Sequence, residues 1–161
     1  MRRISIVVAI LLLGIAPLQA AEKYGGIKLL EGYSIKEGWA VDAANWKIEK
    51  KGGLVIHFES GPSEGSVVDL DHKEQYAWWR EQTIHGRRVL VALVKPGLKT
   101  DPDLDAERGL PPGNILLVTF ILVEHNPPYY TANFVAKVAN QEELVDALLM
   151  IVTYDPSKDR P

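Results

Sequence analysis

Val89-Leu90-Val91-Ala92-Leu93-Val94 is an unbroken apolar run, and Ile115 to Val123 is a second, interrupted only by Thr119. A strand that faces water on one side alternates apolar and polar residues. A strand apolar at every position belongs in the middle of a sheet that is covered on both faces. These two runs therefore predict the centre of a sheet, and the rest of the chain must supply its two covers.

The neighbouring segments carry strand and turn signals. Ile84-His85-Gly86-Arg87 reads as a two-residue hairpin turn, with His85 tolerating a left-handed backbone. The run over 87–95 then pairs with a strand over roughly 76–84. Residues 71–84 also admit a helix, since Asp71 and Glu74 have capping spacing, but the turn favours the strand. Upstream, Ala43 to Lys50 and Leu54 to Glu59 alternate on either side of Lys51-Gly52-Gly53, a hairpin pattern. Leu54, Ile56 and Phe58 take one face of it, His57 and Glu59 the other. Downstream, Asn126-Pro127-Pro128 turns the chain into a last strand over Ala132 to Val138.

Asn140 has the character of an N-cap, Glu142 and Glu143 follow where the helix dipole favours acid, and Pro156 ends the pattern. Leu144, Val145, Leu148, Leu149 and Val152 recur at helical spacing and are expected to form one buried stripe. The fold class is therefore α+β: an antiparallel sheet of about six strands with one C-terminal amphipathic helix packed on one face. One helix covers one face. The other is left for a curled sheet, a long loop or a second chain, so an uncovered sheet face is the expected contact for a protein partner or a homo-oligomer.

The first 20 residues read as a cleavable secretory signal: Met1-Arg2-Arg3, an apolar run from Ile4 to Ile15, Pro17, then small residues at Ala20 and Ala21. The run is too short to span a bilayer, which takes roughly 20 apolar residues. Residues 21–161 are expected to form a single domain. Losing Arg2 and Arg3 leaves 16 basic against 21 acidic residues, a formal charge of −5. This mild acidity gives no footprint for nucleic acid. With no cysteine in the chain, a disulfide scaffold, thiol catalysis and Cys-ligated zinc are excluded together. The expected compartment is a bacterial periplasm or the cell exterior.

Candidate chemistry is sparse. His57, His72, His85 and His125 form no His-Glu-x-x-His or His-x-His pattern, and Asp69-x-Asp71-His72 is the densest cluster. No Gly-x-Ser-x-Gly elbow and no phosphate cradle is present, so no catalytic residue, metal site or cofactor is assigned. Asp101, Asp103 and Asp105 have the one-three-five spacing of a calcium loop, but Ala106 and Pro112 stand where glycine and glutamate are required. They read instead, with Glu107, as the charged part of a long connection from Pro96 to Asn114, a length usually tied to function. Adjacent Trp78 and Trp79 on a strand must face opposite sides, which leaves one free to stack on a partner.

The functional expectation is an exported, non-catalytic binding or accessory domain, with Trp78, Trp79, Asp101, Asp103, Asp105 and Glu107 as its binding residues. The rival from another class is a small hydrolase using Asp71 and His72 with acids from the 101–105 loop. A structural subunit of an envelope assembly is the third reading.

Overall fold

A computed structural model describes residues 22–38, 44–61, 65–96, 114–123 and 130–158. Seven strands make one sheet: β1 (Tyr33–Glu37), β2 (Ala44–Lys50), β3 (Val55–Gly61), β4 (Tyr76–Ile84), β5 (Arg87–Val94), β6 (Asn114–Val123) and β7 (Tyr130–Val138). They are followed by one helix, α1 (Gln141–Ile151). All neighbours are antiparallel and the spatial order is β1-β2-β3-β7-β6-β5-β4. The sheet is thus two meanders, β1 to β3 and β4 to β7, joined where β7 docks on β3. The α+β class stands, with seven strands rather than about six.

The additional strand is β1. Its Tyr33-Ser34-Ile35-Lys36-Glu37 sequence buries only Tyr33, and Gly32 and Gly38 flank it. An edge strand this short has too little apolar periodicity to stand out from a loop.

The predicted central strands are central. β5 pairs with β6 (Val91 opposite Val118), and β6 with β7 (Val118 opposite Phe134). Alternate side chains go to opposite faces. On the first face, Trp46, Phe58, Phe134 and Val118 follow one another as cross-strand neighbours from β2 to β6. Trp46 stacks on Phe58 with centroids 4.0 Å apart, and Phe58 meets Phe134 at 4.9 Å. The helix and the residues after it cover this face with Ala147, Met150, Ile151 and Tyr154, all essentially inaccessible. Tyr154 lies 5.1 to 5.4 Å from the rings of Phe120, Phe134 and Phe58. Gly25, at φ +62°, lets the N-terminal segment approach that ring: a Cβ there would sit 2.2 Å from it.

The buried stripe of the helix differs from the expected one. Val145, Leu149 and Val152 are 44%, 52% and 39% exposed, while Leu144 and Leu148 lie half-buried at the flanks. Apolar residues run around well over half of this helix, so spacing alone does not choose which arc faces the sheet. The arc containing small Ala147 wins because it permits a close approach.

The second face is covered by the chain itself. After β3, residues 65–75 cross the sheet to reach β4 at the far edge. Val68 is buried on Leu90, Ala92, Val94 and Ile115, with Leu70, Leu117, Ile121 and Val135 beside them. The expected uncovered face is therefore strapped over its β5–β6–β7 part. Toward β1, the same face carries half-buried Lys47, Glu49 and His57 and exposed Glu59. Among the described residues no helix is long and apolar enough to cross a membrane.

Candidate functional site

Two polar side chains, Thr119 and Asn133, lie buried in the strapped face at positions that the apolar runs disguise, and Ser66 of the strap meets them. The Thr119 hydroxyl donates to Asn133 Oδ1 at 2.9 Å. Asn133 Nδ2 donates to the Gly65 carbonyl at 2.8 Å, and the Val67 amide to Asn133 Oδ1 at 3.4 Å. The Ser66 hydroxyl lies 2.8 Å from the Val68 carbonyl and 3.2 Å from Thr119 Oγ1. Buried polar groups must be paired, and here each completes the strap's backbone. This network anchors the strap and uses its only described serine, so it offers no free nucleophile.

The strap leads to β4, the outermost strand on its side of the sheet, with β5 its sole neighbour among the described residues. The β4–β5 turn adopts positive φ at His85 (49°) and Gly86 (73°), as the sequence predicts. His85 Nε2 also lies 3.2 Å from the Val152 carbonyl after the helix. Ile84 opposite Arg87 closes a two-residue turn, and the register then runs unbroken back to Trp78 opposite Leu93. Because hydrogen-bonded and non-hydrogen-bonded pairs alternate from such a turn, the backbone groups of Trp79, Glu81 and Thr83 face away from β5 to the open edge.

Trp78 and Trp79 take opposite faces. Trp78 is half-buried against the helix-covered core, whereas Trp79 is 37% exposed on the strap's face. The Lys73 ammonium sits 4.6 Å from the Trp79 ring centroid, a cation–π contact that fixes the ring. Glu81 and Arg88 form a two-pronged ion pair at 2.9 and 3.0 Å, which lowers the Glu81 pKa.

At the start of the strand, buried Tyr76 accepts hydrogen bonds on its hydroxyl from the Asp69 amide (2.7 Å) and from Gln75 Nε2 (2.9 Å). His72 Nδ1 lies 2.6 Å from Asp69 Oδ2. That bond raises the His72 pKa above 6.5, and His72 together with the Asp71 amide lowers that of Asp69. Both side chains are open to solvent. The structure thus pairs His72 with Asp69 rather than with Asp71, as a solvent-exposed contact. Among the described residues no group of three or more His, Asp or Glu converges on one point.

Asp101, Asp103, Asp105 and Glu107 lie outside the described residues, as do Glu124 and His125. Both tryptophans lie on the edge strand, Trp79 exposed on one face and Trp78 half-buried on the other. Sequence reasoning found the tryptophans and missed the Thr119–Asn133 network; two polar residues inside otherwise apolar strands were the available signal.

No family model, no curated protein and no solved structure matches this chain.

Proposed function

We propose that this chain is an exported, non-catalytic binding or accessory domain of a bacterial periplasm or cell exterior, engaging a protein partner along the open edge of β4. One observation carries the reading: a nine-residue edge strand with outward-facing backbone groups holds an exposed tryptophan, fixed by Lys73, at its middle. Such an edge is a template for an added strand, in which main-chain bonds supply affinity and side chains supply selectivity. Export rests on the signal pattern of residues 1–20.

The test is recovery of interacting chains from the envelope fraction with the intact protein and with Trp79→Ala. Loss of a partner from a variant that melts like the parent supports the reading. Unchanged recovery refutes it. Asp101, Asp103, Asp105 and Glu107 are proposed as a second contact, tested by replacing residues 98–112 with a short Gly-containing turn in the same assay. The exposed Val145, Leu149 and Val152 favour a second reading, a structural subunit of an envelope assembly that packs through the helix. Loss of partners from Leu149→Lys but not from Trp79→Ala would select it.

A further inference from the structure

We infer that the strand added to β4 is an antiparallel segment of another protein with an acidic residue opposite Arg80 and apolar residues opposite Trp78 and Trp79. The inference rests on the reading of β4 as the binding edge and names the chemistry of its partner.

The regular part of the edge begins at Trp78. A bulge between Tyr76 and Trp78 breaks the alternation, and the register is continuous from Trp78 to Ile84. Over that span the only charged side chains are Arg80 and Glu81. Glu81 is answered by Arg88 and lies in the field of Lys73, whose ammonium sits on the Trp79 ring. Arg80 is exposed on the helix-covered face, opposite buried Val91 and two residues from half-buried Trp78. Among the described residues no acid pairs with it. A planar guanidinium set beside apolar neighbours, with no acid from its own chain, is a fitting receptor for a carboxylate.

The hydrogen-bond pattern puts Arg80 where cross-strand contact is closest. The backbone groups of Trp79, Glu81 and Thr83 point outward, so an antiparallel newcomer makes its hydrogen-bonded pairs there. Arg80 then falls in a non-hydrogen-bonded pair, whose Cα atoms stand about 4.5 Å apart rather than about 5.5 Å. An acid at that place gains a charge-assisted bond, and a lysine or arginine meets like charge. The other strands of this sheet all pair antiparallel, the geometry the newcomer would continue. Trp78 on the same face and exposed Trp79 on the other give apolar area to the next two residues of the segment. Opposite Glu81, already paired, a neutral residue fits. From its N-terminus the segment therefore reads neutral, acidic, apolar, apolar, as in Thr-Glu-Val-Val.

The probe is a fluorescent peptide with Thr-Glu-Val-Val at its centre, titrated with the purified protein and read by anisotropy. Saturable binding is expected, weakened by added salt and weakened about fivefold when Gln replaces the peptide's Glu. Arg80→Glu is expected to reverse the preference, binding a Lys version of the peptide better than the Glu version. Arg80→Gln, which adds no charge, should bind the Glu and Gln versions alike, and unchanged thermal melting shows that both variants are folded. Glu and Gln peptides bound alike by the parent, or a preference that Arg80→Glu leaves unaltered, would overturn the acidic partner; the edge itself stands if Trp79→Ala still abolishes binding. Binding of neither peptide would also overturn the inference. Recovery of envelope chains that depends on Trp79 but not on Arg80 would then keep the edge, and recovery that depends on neither would overturn both.

Discussion

At the scale of single residues, the strap's attachment depends on Asn133, whose amide serves Thr119, Gly65 and Val67 together. Asn133→Leu keeps the volume and strands those groups in an apolar layer. It should cost about 1–3 kcal/mol of unfolding free energy, since each unpaired buried group carries its own desolvation penalty. Urea denaturation would measure it, and a change within about 0.5 kcal/mol would mean that water replaces the amide. His72 offers a second test. Its folded pKa is raised by Asp69, so the ion pair is complete below pH 6.5 and is lost as pH rises through the folded value. Both groups are solvent-exposed, so the expected signature is the titration itself. The NMR midpoint of His72 should lie above 6.5 and fall back toward that value in Asp69→Asn. An unchanged midpoint would show that the two side chains do not meet in solution.

At the scale of elements, α1 separates packing from periodicity. Ile151 is 1% exposed and Leu149 52% exposed, although both are apolar residues on one helix. Ile151→Ala should destabilise by about 2–5 kcal/mol through lost burial and a cavity, Leu148→Ala by less, and Leu149→Ala by under about 0.5 kcal/mol. Equal losses at 149 and 151 would mean that the helix is rotated or that something covers its outer side. Legibility follows the same division. The hairpin turns at Gly52 and His85-Gly86, the central runs and the Asn140 cap could be read because each is a local requirement on backbone or burial. The five residues of β1 could not, because that strand exists only through pairing with β2, opposite Lys50 to Trp46. The helix's buried arc was equally hidden, being a choice the sheet makes.

At the scale of the whole molecule, topology decides both the covers and the edges. Docking β7 on β3 leaves β4 on the rim, and the route from β3 to β4 must then cross a face. That crossing turns the face expected to be open into a strapped layer, and the binding candidate moves from a face to an edge. Trp79 could be picked out in the sequence as one of two facing tryptophans, but its place on the rim follows from strand order, which no local pattern encodes. The same order gives the sheet a second rim at β1, where Lys23 pairs with Glu37 and Lys36 with Glu49. Ion pairs lie along both rims, Glu81 with Arg88 at β4 included, so what the account makes unequal is the exposed Trp79 carried by the β4 rim alone. Amide hydrogen exchange read at both rims, in the free protein and in the partner-bound material, tests this most directly. The outward amides of Trp79 and Glu81 should exchange freely in the free protein and become protected when the partner is bound, with the β1 amides unchanged. Trp79 and Glu81 amides that exchange equally fast in both would contradict the account.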